Sequence, residues 1–268
     1  MWALTLLLVG SLSSSGVAGA SIFRHKWDTV SDVMGMHGQG GTALPSSIGF
    51  AANHYGMITT AAACDREAGA STIEDGTLAL ARKIKAANPA TLTGMYWRTD
   101  FVGEIASCSN FTAELRATGN SSFLRDDNGQ LALEHGHSVM WDYSNTAGIA
   151  LFARALVNVV NQTLSNGAPV LDYLFLDGPD WQPLPNISAA RNAALRAAKM
   201  AFFADLQRQL DALPGGGRSL ILNGVDTLET ARLFNPTGAS GVMAGPGRTV
   251  ASYHHISLIH FIPGYQFC

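Results

Sequence analysis

The chain has 268 residues, of which 47% are apolar and 14% charged; that balance suits one well-buried core and excludes a disordered chain. A net charge of −3 leaves no basic footprint, which excludes nucleic acid as a partner. The length fits a single (β/α)8 barrel, which needs about 250 residues.

The first twenty residues read as a secretory signal peptide. Ala3 to Val9 is apolar, and Ala18-Gly19-Ala20 has the small-x-small form of a cleavage site. The run is too short to cross a bilayer, and no later segment reaches that length. The expectation is a secreted protein, with no membrane association after cleavage. Residues 21–268 then form one barrel-like domain.

From residue 50 onward a unit recurs: a short apolar run, a polar or acidic end, then a helical stretch. The apolar runs are Tyr55–Thr60, Leu92–Trp97, Ser138–Trp141, Leu171–Leu176, Ser219–Leu222 and Gly241–Ala244. Short continuous apolar runs between turn residues suit strands buried on both faces. Between them, Thr72 to Ala87 predicts a helix stopped by Asn88-Pro89. Asn145 predicts the cap of a second helix, running to about Leu164 and closed by Asn166-Gly167. Ser188 predicts the cap of the longest, to about Leu213, with Leu195, Phe202, Leu206 and Leu210 at helical spacing. The polar connection 101–137 reads as an exposed insertion.

Strands alternating with helices imply an α/β fold with a mainly parallel sheet. An open doubly wound sheet would satisfy the pattern too, but no Gly-x-Gly-x-x-Gly follows an early strand. The fold expected is a (β/α)8 TIM-type barrel. Only six strands are legible, so the barrel stops short at the C-terminus or segment 21–50 contributes something the pattern does not reveal.

In either parallel fold, ligands bind beyond the carboxyl ends of the strands. Those ends offer Trp97, Arg98 and Asp100, then Asp142, then Asp177, Asp180 and Trp181, then Asn223. The segment Leu174-Phe-Leu-Asp177-Gly-Pro-Asp180-Trp181 is the sharpest signal. Asp177 follows a buried run, and Gly178-Pro179 forces a turn there. A carboxylate so held is suited to act as nucleophile or base, with Asp180 as its companion. A turn cap, or an arginine's partner, is its structural alternative. Trp97, Trp141 and Trp181 could stack on sugar rings or fill the core. Asp100, Asp142 and Asn223 are candidate substrate ligands.

Cys64, Cys108 and Cys268 are the three cysteines, and an oxidising compartment favours one bridge. Cys64 and Cys108 follow neighbouring strands and form the expected pair. Four sequons, at Asn110, Asn120, Asn161 and Asn186, suit a glycoprotein. His135-x-His137 lacks a third ligand, so no metal or other cofactor is expected.

Several segments together resemble the glycoside hydrolases of the (β/α)-barrel type, nearest the endo-α-1,4-polygalactosaminidase-like group. They are His54-Tyr55 leading into Met57–Thr60, Trp141-Asp142-Tyr-Ser-Asn145, Asp172–Asp177-Gly, Leu222-Asn223-Gly and Gly241-Val-Met. The resemblance spans roughly residues 50–245. It implies a secreted enzyme acting on a glycan or polysaccharide, with Asp177 as the catalytic aspartate of the fourth strand and Asn223 against the sugar. Where such proteins commonly carry a glutamate after the sixth strand, this chain has Ala244-Gly245. Glycosidases normally use two carboxylates. Two alternatives therefore stand beside the enzyme: a carbohydrate-binding pseudoenzyme, and a hydrolase or transferase holding a divalent metal between Asp177 and Asp180.

Overall fold

The computed structural model describes residues 33–37, 45–61, 70–102, 122–134, 138–215, 217–225 and 241–244. The elements run β1 (Val33–His37), α1 (Pro45–His54), β2 (Met57–Ala61), α2 (Ile73–Ala87), β3 (Leu92–Arg98), β4 (Phe101–Val102), β5 (Leu133–Glu134), β6 (Ser138–Met140), α3 (Thr146–Val160), β7 (Tyr173–Asp177), α4 (Ala189–Asp211), β8 (Ser219–Val225) and β9 (Gly241–Ala244). Six of the strands form one parallel sheet in the order β1-β2-β3-β7-β8-β9.

Two expectations about strands change. Ser138–Met140 does not join the parallel sheet. It pairs antiparallel with β4 and β5 in a separate three-stranded sheet. A three-residue apolar run carries too little pattern to distinguish the two settings. Segment 21–50 supplies the missing parallel strand, β1, whose Val-Met-Gly-Met-His sequence has no clear period. The two changes cancel in the count, and β7 remains the fourth parallel strand. The insertion is also less detached than expected. Leu124 and Ala132 are buried in the main core, and Leu124 N–H donates to Met140 C=O at 2.9 Å.

Helix starts follow their caps. The Thr72 hydroxyl accepts from Asp75 N–H at 3.1 Å, and the Asn145 side chain accepts from Gly148 N–H at 3.1 Å. Each satisfies an amide that has no partner inside its helix. α3 stops at Val160, one turn before the expected end. At α4 the Ser188 side chain makes no capping bond. Asp127 of the insertion anchors this helix start instead: Oδ2 accepts from Ser188 N–H at 2.7 Å and Oδ1 from the Arg191 guanidinium at 2.9 Å. The Arg191 hydrogen bond, the Ser188 amide and the Arg191 charge hold the Asp127 carboxyl below its usual range.

The two faces of the sheet are covered differently. Met95, Trp97, Leu174, Leu176, Leu220 and Leu222 belong to the helix-covered core with residues of α2, α3 and α4. Ile58 meets α1 and α2 on that same side. There Phe152 stacks between Trp141, with ring centres 5.0 Å apart, and Phe202, at 5.3 Å. Burying rings of that size contributes about 1.5–3 kcal/mol each, with up to about 1.5 more per stacked pair.

The opposite face carries a second buried cluster of Met57, Tyr173, Phe175 and Ile221, with Leu92 and Tyr96 against it. Each described helix lies on the other side. Helices on one face only are the arrangement of a barrel wall, whereas a doubly wound sheet carries them on both. Parallel registration sets this inner face in rows: Thr59, Gly94, Tyr173 and Ser219; then Tyr96, Phe175 and Ile221; then Arg98 and Asp177 at the carboxyl end, where Asn223 is the backbone register partner of Asp177.

Candidate functional site

Alternation along β3 and β7 builds the site. Because successive side chains leave a strand on opposite faces, Tyr96 and Arg98 share the inner face with Tyr173, Phe175 and Asp177. The Tyr96 hydroxyl donates to Asp177 Oδ2 at 2.8 Å, and Arg98 Nη1 lies 3.9 Å from the same oxygen. The Asp177 side chain retains 23% of its exposure and can be reached from solvent.

Asp100 sits behind Arg98. The guanidinium grips it with two donors, Nε to Oδ1 at 3.0 Å and Nη2 to Oδ2. Asp100 is 6% exposed. Gly178 makes its position feasible. A Cβ at residue 178 would lie 2.5 Å from Asp100 Oδ2, and the residue's φ of +67° is one that glycine adopts freely. The glycine expected as a turn residue is therefore also the floor beneath a carboxylate.

Charge states follow from these contacts. Burial, the Asp177 charge and the hydrogen bond to it push the Tyr96 phenol well above its ordinary value, so it keeps its proton as donor. Burial alone would weaken the Arg98 cation. The hydrogen bond and charge of Asp100, with the charge of Asp177, more than offset that and hold its pKa high.

The loop after β7 is pinned from below. Thr99 N–H donates to Asp177 C=O at 2.9 Å, and its hydroxyl reaches the carbonyls of Asp177 and Gly178 at 2.9 Å each. Tyr143 donates its hydroxyl to Thr99 C=O. Lys199 Nζ, in the middle of α4, donates to Gly178 C=O at 2.6 Å and Asp180 C=O at 3.2 Å.

The sequence-derived candidates fall into two groups. Asp177, Asp100, Asp180 and Asn223 gather at one end of the sheet, Asn223 as the register partner of Asp177. A bulge between Asn223 and Val225 lies at that same end. Trp97, Trp181 and Asp142 have other settings. Trp97 points to the helix-covered side and lies in the core, 6% exposed, because it alternates with Tyr96 and Arg98. Trp181 is buried too, its indole N–H donating to Asn192 at 3.0 Å. Asp142 folds onto its own turn, where Oδ1 accepts from Ser144 N–H at 2.9 Å. Trp141 is core as well. Hydrophobic burial explains all three tryptophans offered as sugar platforms, and turn formation explains Asp142.

Sequence reasoning passed over Tyr96 and Lys199. Period-two alternation back from Arg98 would have found Tyr96. Nothing local marks Lys199, since its partners are carbonyls about twenty residues earlier.

Among the described residues no group of three or more His, Cys, Asp or Glu side chains could hold a metal. No described helix is long and apolar enough to cross a membrane. Asn161 and Asn186 are exposed. Cys64, Cys108, Cys268, Asn110, Asn120, His135, His137 and the signal segment lie outside the described residues.

No family model matches the chain, and no curated protein matches it in sequence. Solved structures do match its fold. One is a cycloisomaltooligosaccharide glucanotransferase from a Paenibacillus species, complexed with cycloisomaltoheptaose. It matches with a TM-score of 0.51 and 11% identity, over 78% of this chain and 34% of that one. Another is the GH36 α-galactosidase AgaA from Geobacillus stearothermophilus in complex with stachyose, with a TM-score of 0.50 and 9% identity over 80% of this chain and 30% of that one. The chain thus spans about a third of the length of these enzymes, and the likeness is one of fold.

Proposed function

We propose that this protein is a secreted glycan-processing protein of the glycoside hydrolase type, built on a (β/α) barrel, with Asp177 as the carboxylate that faces the sugar. The observation that carries the reading is Asp177 itself. It stands at the carboxyl end of the fourth parallel strand, on the face opposite the described helices, accepting from Tyr96 at 2.8 Å with Arg98 alongside. Ligands of parallel α/β folds meet the protein at that end. The one-sided helix cover supports the barrel, and the solved structures of similar fold are of enzymes that act on oligosaccharides. An aspartate in polar, partly solvated surroundings suits the anionic role, attacking the anomeric carbon or stabilising an oxocarbenium-like transition state.

The second carboxylate is assigned to Asp180. It follows Asp177 by three residues, in the loop that leaves the same strand end. Exposed Asn161 and Asn186 suit N-glycans on a secreted chain, and a Cys64–Cys108 bridge remains part of this reading. One observation favours a binding protein instead: β9 ends in Ala244, with no carboxylate at that strand end.

The test compares wild type with Asp177→Asn on a panel of α- and β-linked oligosaccharides, following reducing ends and, by calorimetry, binding. The enzyme reading expects hydrolysis by wild type and a loss on the order of 100-fold or more in the folded variant. Wild-type binding without hydrolysis would select the binding protein. Undiminished turnover by Asp177→Asn would remove Asp177 from the mechanism.

A further inference from the structure

We infer that Lys199 is a positioning residue that sets the direction of Asp177 by clamping the loop behind it. The inference rests on the reading of Asp177 as the functional carboxylate. Lys199 is fully buried. A buried ammonium is costly unless its donors are used, and here they are used on the backbone of the site. One donor meets Gly178 C=O at 2.6 Å and another Asp180 C=O at 3.2 Å. The cation also stands 5.5 Å from the centre of the Tyr143 ring, a favourable cation–π arrangement.

These contacts close a frame around one short loop. Tyr143 bonds to Thr99 C=O, and Thr99 bonds to the carbonyls of Asp177 and Gly178. The carbonyls of residues 177, 178 and 180 are thus held from two directions: from α4 by Lys199 and from the end of β3 by Thr99. Pro179 fixes its own φ in this turn, but Gly178, with its positive φ, has no Cβ to restrict its backbone. The clamp supplies what the glycine lacks. A carboxylate at a strand end keeps its aim at Tyr96 and the sugar only while the following peptide planes hold their orientation. Displacement of a reacting group by about 1 Å can cost on the order of 100-fold in rate.

The test labels the full chain with [13Cζ]tyrosine and assigns Tyr96 by its loss in Tyr96→Phe. Because Tyr96 reports the presence of the Asp177 carboxylate, Asp177→Ala gives the resonance position of a released phenol. In folded Lys199→Met the Tyr96 resonance is expected to move most of the way to that position. Lys199→Gln, which keeps a donor without the charge, is expected to move it less, and it carries the comparison if Lys199→Met does not fold. On a hydrolysed glycan the same variants lower kcat by on the order of 100-fold and leave KM near its wild-type value. A folded variant that melts earlier but keeps the wild-type Tyr96 resonance would overturn the inference, since a merely structural lysine gives that result. If the resonance moves while wild type cleaves no glycan, the clamp stands and the catalytic reading of Asp177 fails.

Discussion

Replacing Gly94 with alanine should cost about 3 kcal/mol, although the change adds one methyl group to a strand. A Cβ at residue 94 would lie 2.0–2.4 Å from three atoms of the Tyr173 ring. Carbon atoms rest about 3.5–4.0 Å apart, so the ring would have to retreat by about 1.5 Å. Tyr173 is fully buried, and its hydroxyl shares a 2.9 Å hydrogen bond with Thr59. Overpacking of this kind costs about 1–3 kcal/mol, and the clash here belongs at the upper end. Losing the buried hydrogen bond adds about 1 kcal/mol. The better strand preference of alanine over glycine returns about 0.5–1 kcal/mol. Urea unfolding followed by circular dichroism measures the sum. A Tyr173→Ala background isolates the cause, because without the ring Gly94→Ala should be neutral or slightly stabilising. An equal cost in both backgrounds, or a cost below about 0.5 kcal/mol in wild type, would show that the ring does not lie over residue 94.

Two further perturbations test other parts of the same fold. Burial above all raises the phenol pKa values of Tyr96, Tyr143 and Tyr173. The unfolded chain then releases these protons first, so their stabilising contribution is whole below the ordinary phenol value near 10 and is lost as pH rises above it. The unfolding free energy from urea titrations should fall from about pH 10 upward, by up to about 4 kcal/mol per pH unit for three such groups, and constant stability between about pH 9.5 and 11 would contradict their burial. At the other end of β7, Lys85 Nζ meets Asp172 Oδ2 at 2.6 Å with both groups largely buried. Lys85→Ala should destabilise by about 3–5 kcal/mol by stranding the carboxylate, while the Tyr96 resonance stays at its wild-type position.

The contrast between Asp172 and Asp177 shows what could be read before any coordinates. Asp172 precedes the five-residue strand β7 and Asp177 ends it. The rule that chemistry sits at carboxyl ends assigned Asp177 to the site. The structure gives Asp172 the matching structural task, accepting from Thr93 N–H at 2.8 Å and pairing with Lys85. Helices α2, α3 and α4 were legible because caps and apolar spacing are local properties. β1 was not, because a buried strand of five residues has no period of its own, and β6 was misplaced for the same reason. The tryptophans failed for a different cause. Which face a strand residue takes depends on register, and one step separates Trp97 in the core from Tyr96 and Arg98 at the site.

Register also decides how the site is composed. The inner-face positions at the carboxyl end of β3 and β7 are Arg98 and Asp177, both polar, while the row beneath them is Tyr96, Phe175 and Ile221. The change from mainly apolar to polar occurs within one two-residue step along each strand. A wall that only needed to bury its interior would have no use for an arginine held between two aspartates at its rim. Keeping that charge in place engages Asp100 outright, and the turn at Gly178 must stay open to accommodate it. Local rules in conflict with stability, resolved here by partners on other strands and on α4, are what the proposed role of this end would require.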